Sequence, residues 1–341
     1  MNVRQILFPV RWMYQGVTGL RNWMYDRNFF KVHKVDVPVI SIGNLTVGGT
    51  GKTPVSLAIV EHLKNKKYSC GVISRGYKRD NKGVLEVDVS PGAASKFGDE
   101  PALIKSTFPD IPVVVAEKRI LAAQTVLNSG PVDFLICDDA FQHRALHRDL
   151  NLLLFDVTES VKNYRVLPVG LARETMNPAL RRADFLILTK ANFVPAQELE
   201  ERKAWLRSRC DKPVITAEYV FKGLRSNSGE RKDSLKDAAL LVSGVAKPEA
   251  VEQTLNGIVK IVKHRKFDDH HRYTNLEVEN ILDEASERQA RWIVTTGKDA
   301  IKLSAFNRLK DRLWVIDLGV ELKGEVQALY EAIDRLARPR H

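Results

Sequence analysis

The chain has 341 residues and carries 53 Lys and Arg against 42 Asp and Glu, a formal charge of +11. With 44% hydrophobic and 28% charged residues it has the composition of a globular protein rather than a disordered or fibrous one. Its length suggests about two domains, each able to bury its own core. Cys70, Cys137 and Cys210 are odd in number and widely spaced, which argues against a disulfide scaffold and for thiols in a reducing compartment. The positive excess implies an anionic partner: nucleic acid, a phosphorylated substrate or an anionic membrane surface.

No stretch reaches the ~18–20 uninterrupted apolar residues that a spanning helix needs. At the N-terminus, Ile6, Leu7, Val10, Met13, Val17, Leu20 and Met24 recur at helical steps and draw one apolar stripe. Trp12, Tyr14, Trp23 and Tyr25 add interface-seeking aromatics. Arg4, Arg11, Arg21, Arg27, Lys31 and Lys34 face Asp26 alone, so this segment carries five of the eleven net charges. Arg11 and Arg21 interrupt the run too early for a signal-peptide core. Two readings stand: a basic amphipathic helix lying in a membrane interface, or a helix packed on the protein's own core.

From residue 37 short apolar runs alternate with helical patterns. Strands are predicted at Val37–Ile42, Cys70–Ser74, Pro112–Ala116, Val132–Cys137, Asn151–Phe155, Asp184–Leu188 and Pro213–Ala217. Helices are predicted at Val55–Lys66, Arg119–Asn128 and Ala196–Arg209. Lys222–Asp237 is polar and charge-rich and reads as a linker or surface loop. A shorter series follows, with strands at Ala239–Ser243, Ile258–Lys263, Trp292–Thr296 and Leu313–Leu318. The expected fold class is α/β: a P-loop NTPase-type, doubly wound, mostly parallel sheet with a second, smaller α/β domain. The expected division is an interface helix over 1–35, a P-loop domain over 36–220 and a lid or substrate domain over 221–341.

The first strand runs into Gly43-Asn44-Leu45-Thr46-Val47-Gly48-Gly49-Thr50-Gly51-Lys52-Thr53, and a helix starts near Pro54. Gly-Lys-Thr between a buried strand and a helix is the second half of a Walker A motif. Glycines let backbone N–H groups close round phosphate oxygens, and the helix N-terminus adds its positive dipole end. Lys52 would reach the β- and γ-phosphates, and the Thr53 hydroxyl would ligate Mg²⁺. Thr46 stands where the consensus has Gly. The alternative is a glycine-rich turn with a lone surface lysine, but strand, glycines, Lys, Thr and helix all coincide.

Val132–Cys137 ends in Asp138 and Asp139, at the strand edge where ligands bind in open α/β sheets; a Walker B carboxylate sits there. Gly98-Asp99-Glu100-Pro101 opens a helix. By spacing alone Asp99 reads best as an N-cap, with a general base for phosphoryl transfer as the alternative. Phe267-Asp268-Asp269-His270-His271-Arg272-Tyr273 is the other dense polar cluster, open to a metal or to a His–carboxylate pair tuning a base. His143 and His147 could share a helix face, with surface or packing roles.

These residues together resemble the tetraacyldisaccharide 4′-kinase family, the lipid A 4′-kinases of Gram-negative bacteria. The match rests on Ser41 to Pro54 with Thr46 included, Ser74-Arg75-Gly76-Tyr77, Gly98 to Pro101, Asp138-Asp139-Ala140-Phe141-Gln142-His143, Asp269-His270, and Thr295-Thr296-Gly297-Lys298-Asp299. The resemblance implies an ATP-dependent, Mg²⁺-dependent kinase acting on the 4′-hydroxyl of tetraacyldisaccharide 1-phosphate to give lipid IVA. It implies ATP binding by Thr46, Val47, Gly48, Gly49, Thr50, Gly51, Lys52 and Thr53. Mg²⁺ would be held by Thr53, Asp138, Asp139 and Glu100. Asp99 becomes the catalytic base with His270 polarising it, against the N-cap preference. Arg75, Tyr77, Arg119 and Gln142 are implied substrate contacts. Two departures stand out: the family's Gly-Pro-Leu-Arg-Glu is Gly170-Leu171-Ala172-Arg173-Glu174 here, and its Thr-Glu-Lys-Asp is Thr296-Gly297-Lys298-Asp299.

The implied location is peripheral, on the cytoplasmic face of the bacterial inner membrane, with the lipid substrate and the anionic leaflet as partners and no nucleic acid or obligate protein partner. The rival is a GTP-dependent membrane switch or metal-insertion chaperone, since Thr189-Lys190-Ala191-Asn192 resembles a guanine-reading loop without its final Asp. A nucleic-acid-binding ATPase is suggested by charge alone, and no aromatic-basic motif supports it.

Overall fold

The computed structural model describes residues 8–337. Helix α1 spans Phe8–Asp26 and lies ahead of the sheet. The first α/β series then runs β1 (Val39–Asn44), α2 (Lys52–Asn65), β2 (Cys70–Ser74), β3 (Leu85–Glu86), α3 (Ala93–Phe97), α4 (Asp99–Thr107), β4 (Val113–Val115), α5 (Arg119–Ser129), β5 (Phe134–Asp138), β6 (Leu150–Asp156), α6 (Met176–Arg182), β7 (Phe185–Thr189) and α7 (Ala196–Arg207). The second comprises β8 (Val214–Ser226), β9 (Arg231–Lys232), β10 (Leu235–Ser243), α8 (Pro248–Leu255), β11 (Val259–Lys266), α9 (Asn275–Glu287), β12 (Trp292–Thr296), α10 (Gly297–Leu303), β13 (Leu313–Gly324) and α11 (Val326–Leu336).

All strands among the described residues belong to one 13-stranded sheet in the order β11-β10-β12-β13-β8-β7-β6-β1-β5-β2-β4-β3, with β9 paired to β8. β1, β2 and β5 are buried along their whole length, as continuous apolar strands covered by helices on both faces require. β1 pairs in parallel with β5 on one side and β6 on the other. The strand order therefore reverses at β1, and its C-terminal end opens a crevice suited to a ligand.

The expected linker over 222–237 is largely strand. β8 carries on to Ser226 and pairs antiparallel with β13 over the whole run from Trp314↔Ser226 to Gly324↔Ile215. Beyond Ala217 it is half-buried or exposed except at Gly223 and Leu224, so its polar composition hid a strand that is only partly covered. This ladder sets the geometry of the cleft. β7 pairs with the first residues of β8, Val214–Ala217, whereas β12 pairs with the first residues of β13, which lie opposite the last residues of β8. The parallel strands of the two lobes thus run towards each other, and their C-terminal ends converge on the middle of the β8–β13 ladder.

Leu63, Ile59 and Val60 of α2 pack with Ile40, Ile136 and Phe134 on one face of the sheet, in a cluster that Leu329 and Ile333 of α11 complete. Leu240, Ile281 and Ile293 centre a separate cluster in the second lobe. Cys70 and Cys137 are buried and free, and Cys210 is free and half-buried. Burial pushes the Cys70 thiol up to about 12 and that of Cys137 up to about 11, so both behave as small apolar groups.

The stripe on α1 does not meet the core. Val10, Met13, Val17 and Leu20 are exposed, as are Trp12 and Trp23; Ile6 and Leu7 lie outside the described residues. Among the described residues no helix is long and apolar enough to cross a membrane.

Candidate active site

β1 delivers the phosphate loop to the crevice. Gly51, at φ +80°, caps α2 in the left-handed conformation that glycine adopts without strain. Inside the loop the Asn44 amide donates to the Thr46 carbonyl at 2.8 Å and to the Thr50 hydroxyl. Lys52 Nζ donates to Asn44 Oδ1 at 3.3 Å and stands 3.5 Å from Asp139. From the neighbouring strand end, Thr189 Oγ1 donates to the Thr50 carbonyl at 2.8 Å and Lys190 Nζ to the Gly49 carbonyl at 3.0 Å. These bonds fix the backbone of the loop, which lowers the ordering cost of binding.

β5 places two carboxylates below it. Asp138 is fully buried, and its Oδ1 accepts from Ser56 at 2.8 Å, while its Oδ2 has no partner. Burial first, then the nearby charge of Glu100 and of Asp139, pushes the Asp138 carboxyl up to about 7. Burial also pushes Asp139 upward, but Lys52 and then Arg173 and Arg119 outweigh it and hold this carboxyl below its ordinary value. Among the described residues no group of three His, Cys, Asp or Glu is arranged to hold a metal by itself. The orphaned Asp138 oxygen, with Glu100 and Asp139 as like-charged neighbours, is the kind of acidic oxygen set that suits a hard cation such as Mg²⁺.

A second cluster spans the two lobes. Asp99 is the first residue of α4, after Gly98 at φ +100°, and its carboxylate does not cap the helix. Asp99 Oδ2 instead meets His270 Nδ1 at 3.0 Å and Lys302 Nζ at 3.2 Å. Burial raises the Asp99 carboxyl, but the His270 hydrogen bond and then Lys302 and Lys298 more than reverse it, leaving it below the ordinary range. The structure thus sides against the N-cap preferred on spacing. His270 has φ +65°, a strained value outside glycine, which turns its ring towards α4. His271 faces the other way, at 3.0 Å from Glu277 and stacked on Phe267. With His270 Nδ1–H donating to Asp99, its Nε2 accepts from Lys298 at 3.2 Å, and Lys298 also binds Asp269 at 2.7 Å. Asp299 receives the Gly244 N–H, the Thr296 hydroxyl and the Tyr273 hydroxyl, locking the α10 turn that carries Lys298 and Lys302.

The implied substrate contacts divide. Tyr77 is exposed with its ring 5.7 Å from that of His270, and Arg75 is exposed on the same loop. Arg119 is buried beside β5, donating to the Ala116 carbonyl with Nε unpaired. Gln142 donates to the Asn44 carbonyl at 2.8 Å and to Glu174 at 3.2 Å, so it braces the phosphate loop. The departing segment Gly170–Glu174 packs behind that loop through Val47 N–H to the Leu171 carbonyl and Arg173 N–H to the Leu45 carbonyl. Its Arg173 reaches Asp139 at 3.4 Å. Sequence reasoning missed Asn44, Arg173, Lys298 and Lys302 as working side chains; the first three lay inside segments already marked, whereas Lys302 had no signal. His143 and His147 share no helix, and burial first, then Arg119 and Arg148, pushes His143 down to about 4. Asn192 exchanges hydrogen bonds with the Tyr219 backbone at 3.0 Å in both directions, so its amide is committed to structure and not to reading a base.

Between the phosphate loop and the second lobe lies a cleft of about 530 Å³, lined by Gly49–Pro54, Glu100, Lys190, Lys247, Lys298 and the bend of β13 at Asp317–Val320. Its volume is that of a nucleotide-sized site. Fold and site define a P-loop phosphotransferase: a glycine-rich loop between a buried strand and a helix, with a carboxylate pair at the end of the adjacent strand. The chain belongs to the tetraacyldisaccharide-1-P 4′-kinase family, whose model matches residues 3–338. A tetraacyldisaccharide 4′-kinase of Bdellovibrio bacteriovorus is 40% identical over 98% of this chain and 100% of that protein. One of Anaeromyxobacter sp. strain K is 33% identical over 94% of this chain and 87% of that protein. A crystal structure of LpxK from Aquifex aeolicus in complex with ATP superposes with a TM-score of 0.80 at 31% identity, covering 98% of this chain and 100% of that one.

Proposed function

We propose that the chain transfers the γ-phosphate of ATP to the 4′-hydroxyl of tetraacyldisaccharide 1-phosphate, forming lipid IVA in lipid A biosynthesis, with Asp99 as the base. Family membership carries the reaction; the Asp99–His270 hydrogen bond at 3.0 Å, closing one lobe on the other beside the phosphate loop, is the observation that carries the roles. The backbone of Thr46–Thr53 cradles the phosphates, and Lys52 neutralises charge on the β- and γ-oxygens. Thr53, Asp138, Asp139 and Glu100 would hold Mg²⁺, the carboxylates in part through water, and the ion would supply screening of the charge on the transferred group. Asp99, kept ionised by His270, Lys302 and Lys298, accepts the proton of the attacking hydroxyl. Lys298, shared by Asp269 and His270, keeps the imidazole in the tautomer that donates to Asp99. Arg75 and Tyr77 at the open rim receive the phosphorylated sugar, while Arg119 and Gln142, whose side chains are committed to the protein, support the site from behind. The two α/β series act as separate domains that close on nucleotide.

The exposed apolar stripe of α1, with Trp12 and Trp23 beside it and a basic balance around it, supports peripheral docking on an anionic membrane, the cytoplasmic face of the inner membrane. The commitment of the Asn192 amide to Tyr219 weighs against the GTP-reading switch. Asp99→Ala is expected to lower kcat for ATP-dependent phosphorylation of tetraacyldisaccharide 1-phosphate by ~10²–10⁴-fold with ATP affinity preserved. Lys52→Ala, by contrast, loses nucleotide binding. Near-wild-type turnover of Asp99→Ala in detergent micelles removes the base assignment.

A further inference from the structure

α1 presents its apolar residues outward, and its one buried residue among those described is Asn22, 7% exposed. The Asn22 amide donates to Glu174 Oε2 at 2.8 Å. Glu174 is 3% exposed, and its other oxygen accepts from Gln142 at 3.2 Å. Gln142 in turn donates to the Asn44 carbonyl at the root of the phosphate loop and accepts from Arg173, which pairs with Asp139. Arg182 neutralises Glu174 at 2.7 Å. A contiguous line of hydrogen bonds therefore runs from the inner face of α1 to both halves of the nucleotide site. Buried polar groups in such a line are costly to leave unpaired, so moving one end shifts the preferred position of the next.

We propose that Asn22 is a positioning residue: through Glu174, Gln142 and Arg173 it couples the seating of α1 on a lipid surface to the geometry of the phosphate loop and Asp139. The inference rests on reading Asp139 as part of the Mg²⁺–nucleotide site and α1 as the docking segment. Docking presses the helix inward along the Asn22 contact and favours the arrangement that receives nucleotide. By linkage, bound nucleotide must strengthen docking by the same factor. α1 keeps other attachments without Asn22's side chain: Arg144 Nη1 to the Asn22 carbonyl at 2.9 Å, Arg144 to Asp26 at 2.6 Å, and Arg21 to the Gln142 carbonyl at 2.9 Å. A change at Asn22 is therefore separable from loss of the helix.

The test measures two affinities of the full chain: for AMP-PNP with Mg²⁺, with and without vesicles of phosphatidylethanolamine and phosphatidylglycerol, and for the vesicles with and without that nucleotide. In the wild type both rise by one common factor, about fivefold or more. In Asn22→Ala, and in Asn22→Asp, which sets a second carboxylate against Glu174, the factor vanishes while vesicle affinity without nucleotide is unchanged. Asn22→Gln, which keeps the amide donor, recovers part of it. The proposal is overturned if the variants keep the wild-type factor, if the wild type has none, or if the variants lose vesicle binding itself, which makes Asn22 a structural anchor. A wild type that binds no Mg²⁺–nucleotide under any condition overturns the site reading as well. An intact nucleotide affinity that vesicles leave unmoved overturns the coupling alone.

Discussion

Replacing Asp138 by Asn exposes the cost of burying this carboxylate. The carboxyl is raised from the ordinary 3.8 to about 7 because it is buried first, and then because Glu100 and Asp139 repel its charge. That rise corresponds to about 4 kcal/mol against the ionised native state at high pH. The sign follows from proton counting. Between about pH 4 and about pH 7 the native state holds a proton that the unfolded chain has lost, so stability falls as pH rises, and the deficit is complete above 7. Asn keeps the shape and can still accept from Ser56, but it sets an amide N–H pair where Oδ2 has no partner. Such unmet donors cost about 1–3 kcal/mol. The variant should thus be less stable than wild type near pH 4, where the native acid is neutral and little of the charge deficit has yet developed. It should be more stable by about 1–3 kcal/mol near pH 8.5, where the charge penalty has gone. Urea unfolding of magnesium-free protein at the two pH values gives the answer directly. In addition, Mg²⁺–ATP should raise the wild-type midpoint and leave the variant's little changed. A variant less stable at both pH values, or a wild type whose stability is level from about pH 4 to 8.5, refutes the reasoning.

His270→Ala removes a hydrogen bond to a charged carboxylate, worth about 1.5–3 kcal/mol, so kcat should fall ~10–100-fold. Because that bond is the largest influence lowering the Asp99 carboxyl, the acid limb of the pH–rate profile should move to higher pH, and an unmoved limb contradicts the pairing. Gly43→Ala puts a Cβ 2.7 Å from the backbone nitrogen and Cβ of Phe141, an overpacking that should lower stability by about 1–3 kcal/mol, read as a lower urea midpoint at constant slope.

Much of the nucleotide cradle was legible in the chain because its parts are contiguous: β1, the glycines, Lys52, Thr53 and α2 follow one another, and local chemistry alone shapes a strand–turn–helix. The doubly wound first lobe was legible for a related reason, since its strands are continuous apolar runs separated by helices. The ladder of β8 with β13 was not. Its residues are half-exposed and charged, so composition suggested a loop, and pairing with a strand about a hundred positions later made it the link between lobes.

The pairing of Asp99 with His270 shows the same division. Asp99 could be picked out only through the family resemblance, because as a first-turn aspartate it has the spacing of an N-cap. His270 and His271 are neighbours of equal chemistry, and the positive φ at His270 and the contact of His271 with Glu277 decide which of them meets Asp99. By itself the sequence determined the kind of loop, the order of strands and the apolar stripe of α1, all of which depend on neighbours within a turn or two. Tertiary structure decided that the stripe faces outward, that Asp99 is joined to His270, and that Asn22 reaches Glu174. Each of those is a contact between residues more than a hundred positions apart or a choice of burial, and it depends on which surfaces the packed sheet leaves free.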